Sequence, residues 1–210
     1  MAEVSKQEPA AKPPSTGRIE TFVDGVVAII ITIMVLELRI PADTLVQGDI
    51  GDVLSDFGPK FAVYVLSFVM VAIFLLNHHM LMRAATHATN TLYWWNAVLL
   101  FWMSLIPLAT AVIGDAPTQP LAVAFYGAVL CATSVAFTFL HRCAACRADK
   151  DGKLDRLHTL TIRKDWFFTG LYGLSVPLAF VSIYASMAIF LINPAAYFFP
   201  EFVPWPKSWR

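Results

Sequence analysis

The stretch Arg18–Pro41, RIETFVDGVVAIIITIMVLELRIP, decides the fold class. From Gly25 to Leu36 it carries no charge, yet Arg18, Glu20 and Asp24 sit at its mouth. At about 1.5 Å per residue the charge-free centre is only about 18 Å long. A helix facing lipid needs about 20 apolar residues. The stretch therefore reads as a membrane helix enclosed by protein, with Glu20 and Asp24 satisfied there. A carboxylate inside a membrane is costly unless paired, so Asp24 marks a structural or functional network. Its candidate partners are Arg18, His78, His79 and backbone amides.

The whole composition agrees. Of 210 residues, 58% are hydrophobic and 14% charged, against about 45–50% and about 25% in soluble domains. Mean hydropathy is +0.63. Fifteen basic residues balance fifteen acidic ones, which gives no footprint for nucleic acid. There is no Gly-rich phosphate loop, no HExxH and no Gly-x-Ser-x-Gly. No nucleophile, base and orienting group can be assembled, so the chain does not read as an enzyme, and no small-molecule substrate or cofactor is expected. Cys131 reads as a small core residue. Cys143 and Cys146 form a single CxxC beside His141, and zinc would need a second pair, so no metal site is expected.

Along the chain, residues 1–17 lack periodicity and read as a disordered tail. Six apolar spans follow, at about 19–40, 60–82, 92–114, 117–140, 161–180 and 183–199, each suited to a hydrocarbon core of about 30 Å. The last two come from one uncharged run, Trp166–Pro200, which as a single helix is about 52 Å long. Pro177 and Pro194 can each break it, and the turn is placed near Val181–Ser182. Residues 201–210 form an interfacial tail, with Tyr197, Trp205 and Trp209 as anchors. With the N-terminus inside, every Lys and Arg except Arg39 and Lys60 falls on the inner side. Asp43, Asp49, Asp52, Asp56 and Asp115 collect outside, which is the positive-inside pattern. The expectation is an all-α, multi-pass protein of the cell membrane with both termini cytoplasmic.

On the first helix, at about 100° per residue, Phe22, Ile29, Thr32 or Ile33, and Leu36 share one stripe. Asp24 lies about 140° from Ile29. The stripe reads either as ordinary helix packing or as the lining of a pore, and a pore lined this way would not present Asp24 at the Ile29 level. No TVGYG string supplies a carbonyl filter, so any constriction must be built from side chains, and a hydrophobic one can gate by dewetting. His78 and His79 point about 100° apart. They are either interfacial histidines or include one that bonds Asp24 from the neighbouring helix.

These residues resemble a known pattern. R-x-x-x-F-S-D in a first span is the signature of the transmembrane protein 175 family of potassium channels, and here it reads Arg18, Phe22, Val23, Asp24. Leu75–Arg83 (LLNHHMLMR) and Asn96–Asp115 (NAVLLFWMSLIPLATAVIGD) are similar to single-repeat prokaryotic members. The resemblance implies a six-span subunit, a homotetramer in the bilayer, and a cation pore lined by the first helix, with potassium as the permeant ion. It places Ile29 at the hydrophobic constriction, Thr32 one turn beyond, and Ile33 and Leu36 further out. It assigns Arg18, Phe22 and Asp24, with His78, His79 and Asn96, to a network tying the first helix to its neighbours. Two positions depart from the pattern: Val23 replaces the motif serine, and Asn90 stands where an acidic residue is common.

A potassium-permeable channel is the leading reading. The alternative is a proton-coupled transporter or proton pathway through Asp24 and His78/His79, since intramembrane carboxylate and imidazole suit proton relay. Against it, the two halves lack the matching broken helices of inverted-repeat transporters. A non-conducting membrane scaffold is a third reading.

Overall fold

The computed structural model describes residues 16–38, 50–85, 88–145 and 152–198, without side-chain detail at 50, 52, 53, 56, 152–160, 197 and 198. The N-terminal tail before Thr16, Arg39, Asp43, Asp49, Cys146 of the CxxC, and the anchors Trp205 and Trp209 lie outside what it describes, as do the side chains of Asp52, Asp56 and Tyr197.

The described residues form helices and short connections, with no strand among them. In chain order the helices are α1 (Gly17–Leu36), α2 (Ile50–Ala84), α3 (Asn90–Ser104), α4 (Ile106–Asp115), α5 (Pro120–Ala145), α6 (Gly152–Ala179) and α7 (Ile183–Phe198). Gly17–Leu36, Phe57–Ala84, Asn90–Asp115 and Pro120–Ala145 are long and apolar enough to cross a membrane, and Ile183–Ala196 is a shorter apolar helix. With the apolar second half of α6 they make six spans.

Three details differ from a reading by hydropathy. The second helix begins at Ile50, ahead of its apolar segment, and carries Pro59 inside it. The third span is two helices, because Pro107 lacks the N–H that would bond Met103 and its ring crowds the preceding turn. The break falls at Leu105, whose N–H turns back to Met103 and Trp102. Pro194 lies within α7 rather than ending it. Between α6 and α7 the chain turns at Phe180–Ser182, with Phe180 N–H bonded to Pro177 C=O and Ser182 N–H to Leu178 C=O. The Ser182 hydroxyl then accepts from the Ala185 N–H at 3.4 Å and caps α7.

Packing orders the helices around α5. α1 packs on α2, α3 and α4, while α6 packs on α5 and α7. The buried core runs from Ile19 and Val23 of α1 through Met70, Leu99, Ile106 and Leu130 to Tyr172 and Phe190. Hydroxyl and amide groups buried in this apolar interior are paired, as a low-dielectric setting requires. Ser67 on α2 meets the Tyr126 hydroxyl of α5 at 2.9 Å and accepts from Thr110 of α4 at 2.8 Å. Asn193 of α7 donates to the Tyr172 hydroxyl at 2.7 Å, and Tyr172 in turn points at Met70 Sδ. Lys60 of α2 pairs with Asp115 at the end of α4 at 3.4 Å.

Candidate functional site

The site begins with the two faces of α1. Ile19, Val23, Val27, Ile30 and Met34, spaced by three and four, are buried against the bundle. Phe22, Ile29, Ile33 and Leu36 are exposed, Ile29 by 60% and Leu36 by 67%. At about 100° per residue the two sets form separate stripes whose centres lie about 110° apart around the helix. The exposed set is apolar, but Thr32 interrupts it, and its hydroxyl donates to the Ile29 carbonyl at 2.8 Å. That bond uses the hydroxyl proton and leaves the oxygen lone pairs outward.

Asp24 sits on a third side of the helix, about 140° from Ile29. Its Oδ1 accepts a 2.7 Å hydrogen bond from His79 Nε2 of α2, with the two side chains 51% and 31% exposed. The bond ties the first two helices at the end of α1 where the chain enters. His78 points elsewhere and is buried: its Nε2 donates to Asn96 Oδ1 of α3 at 2.9 Å. This puts the ring proton on Nε2 and leaves Nδ1 buried without a protein partner among the described residues. The adjacent histidines thus bind α2 in two directions, one to α1 and one to α3, as their angular separation dictates.

Arg18 and Phe22 are not drawn into this cluster within one chain. Both lie on the exposed side of α1 with Ile29, and Phe22 is 61% exposed. Val23 is 1% exposed and packs in the core. The position where the motif carries serine is therefore filled by apolar contact. Asn90 opens α3, with Thr89 as the cap, its hydroxyl accepting from the Leu92 N–H at 3.3 Å.

Two features have weak sequence signals. His141 Nδ1 and Asp165 Oδ2 meet at 2.6 Å across α5 and α6, with the side chains 6% and 15% exposed. Nothing in the intervening basic segment indicates that partner. The Met70–Tyr172–Asn193 cluster joins residues more than a hundred positions apart. Cys131 and Cys143 are free thiols, and no group of three or more metal-ligating side chains occurs among the described residues.

The family described as endosomal/lysosomal potassium channel TMEM175 matches residues 18–107, the part of the chain that holds the α1 faces and both histidine contacts. A protein of Chryseobacterium sp. (strain P1-3) named a potassium channel is 33% identical over 88% of this chain and 93% of its own length. The chain belongs to the TMEM175 family. The crystal structure of a lysosomal potassium-selective channel TMEM175 homolog from Chamaesiphon minutus superposes with a TM-score of 0.76 at 27% identity, covering 90% of this chain and 98% of that one. A TMEM175 of Danio rerio, named an endosomal/lysosomal proton channel, is 30% identical over 51% of this chain and 22% of its own length. The chain is thus a multi-pass membrane protein of a channel family rather than an enzyme, and its likeness to the Chryseobacterium and Chamaesiphon proteins covers 88% and 90% of its length.

Proposed function

We propose that this protein is a potassium-permeable cation channel, assembled as a homotetramer whose four α1 helices line a central pore with a hydrophobic constriction at Ile29. The observation that carries this is the α1 face made of Phe22, Ile29, Thr32, Ile33 and Leu36, exposed on the single chain. The charge-free part of α1 is too short to face lipid, so that face is best covered by other protein, and copies of itself around an axis satisfy this with one surface. Ile29 sets the narrowest ring. Thr32, one turn beyond, turns oxygen lone pairs toward a permeating ion. Ile33 and Leu36 widen outward.

In this reading Asp24, His79, His78 and Asn96 do not touch the ion. They hold the inner end of α1 against α2 and α3, so that its other face is free to meet the axis. Arg18 and Phe22 face the neighbouring subunit and complete the network between copies. The distribution of Lys and Arg supports both termini lying on the cytoplasmic side of the cell membrane, with a channel domain at 18–200 flanked by the two tails.

The test is potassium flux from proteoliposomes. Wild type conducts, and Ile29→Asn, which wets the constriction, conducts several-fold more. Silent wild type together with a silent polar variant contradicts the proposal.

A second reading has an observation of its own: Asp24 and His79 form a proton-competent pair at 2.7 Å, and vertebrate relatives are named proton channels. Proton-coupled flux lost in Asp24→Asn, with the assembly intact, favours this reading over a simple pore.

A further inference from the structure

We propose that the inner end of the seam between α5 and α6 is a binding site for the headgroup phosphate of an anionic phospholipid. The two helices run antiparallel in a register shown by three contacts. Ser134 meets Thr169 at 2.7 Å, the rings of Phe139 and Trp166 lie 6.1 Å apart, and His141 meets Asp165 at 2.6 Å. Arg142 follows Phe139 by three residues on α5, and Arg163 precedes Trp166 by three on α6. In this register the two arginines come level across the seam, about one turn beyond the aromatic pair and on the same faces. Both are exposed, and neither has a protein partner among the described residues.

The nearby acid is already engaged. The Asp165 carboxylate is held by His141, and that side chain is 15% exposed. Lys164 stands over the Phe168 ring at 5.8 Å. Two guanidinium groups level across the seam, with no counter-charge among the described residues, repel each other. A phosphate between them relieves that repulsion and fits the planar forks of both.

The aromatic residues say where the phosphate comes from. Trp95 stacks on Phe139 at 4.7 Å, and Phe139 meets Trp166, so a ring row crosses α3, α5 and α6 just below the arginines. Trp rings of this kind settle at headgroup level. The row lies at the depth of Asn96, hence at the same end as the histidine contacts. The seam is also on the side of the bundle away from α1, since α6 packs on α5 and α7 while α1 packs on α2, α3 and α4. With α1 at the axis, the arginines face the bilayer. Basic sites between helices at the cytoplasmic surface suit anionic headgroups. The site rests on the proposed orientation and assembly only for which leaflet supplies the lipid and which side faces it.

The test uses the full-length protein in detergent, melted thermally while dioleoyl-phosphatidylglycerol, dioleoyl-phosphatidylcholine or sodium phosphate is titrated in. The glycerol lipid raises Tm saturably, and the choline lipid and free phosphate do not. Arg142→Gln/Arg163→Gln weakens the lipid dissociation constant about 30-fold, whereas Arg83→Gln, a basic residue at the end of α2, leaves it within about twofold. If the double variant aggregates on size-exclusion, the single Arg142→Gln carries the test with about a fivefold loss. Glutamine variants that bind as wild type, an equal response to the choline lipid, or a shift reproduced by phosphate alone overturns the site. Flux is not read here, so a silent channel with an intact lipid response counts against the channel reading and not against this one.

Discussion

At the residue scale the informative group is Asp24. A carboxylate at the edge of an apolar helix needs a partner, and it has His79 at 2.7 Å. Because the pair is half exposed on the single chain, its contribution within one subunit is modest, about 1 kcal/mol. In the proposed tetramer its larger role is to fix the rotation of α1. Asp24→Ala is expected to disperse the assembly rather than alter ion preference, and size-exclusion after mild detergent extraction reads this directly. His79→Ala should give the same profile, and the double variant no more than either alone. An intact assembly with changed selectivity would place Asp24 in the ion path instead. Sequence reasoning singled out Asp24 and both histidines from their cost in a membrane. It left open which histidine Asp24 takes, since that depends on how α2 is rotated.

At the element scale, α5 and α6 approach closely at Gly127. A methyl group added at Gly127 would collide with Ser175 Oγ and come within 3.4 Å of the Phe190 ring. Ser175 is itself held, donating to the Tyr172 carbonyl at 2.7 Å, while its own carbonyl accepts from Ser186 of α7 at 2.8 Å. Gly127→Ala is therefore expected to destabilise the bundle by about 1–3 kcal/mol. Adding Ser175→Ala removes the colliding oxygen and should recover most of that loss. A thermal melt of the two variants and their combination checks it, and no recovery would show that the Phe190 ring sets the limit. Nothing in the run PLAVAFYGAVLCATSVAFTFL identified Gly127 as a contact point. The apolar segments of the helices are apolar round most of their circumference, so the hydrophobic pattern does not say which face meets which neighbour. Pro107 shows the converse: the break in the third span has a local cause, and the residue that makes it is visible in the sequence.

At the scale of the whole molecule, the chain leaves the α1 face of Phe22, Ile29, Ile33 and Leu36 uncovered. In the proposed tetramer this face is the pore, so copies must approach one another along α1. In a background without the native cysteines, Leu36→Cys is expected to crosslink neighbouring copies under mild oxidation, giving dimers and higher species on a denaturing gel. Met34→Cys, buried against the bundle at 1% exposure, should stay monomeric. The reverse result would turn α1 round and remove the pore from this surface.

The sequence by itself determined the membrane class, the six spans and the unequal distribution of basic residues. These are legible because the length of an apolar run and its flanking charges are local properties of the chain. Only the tertiary structure decided that Asp24 binds His79 while His78 turns to Asn96, that Val23 packs in the core, and that His141 closes on Asp165. It likewise set Arg142 level with Arg163. These outcomes depend on the rotation and register of helices far apart in the chain, 55 residues in the case of Asp24 and His79. Uniformly apolar helices leave rotation and register to packing, and packing exists only once the helices are assembled.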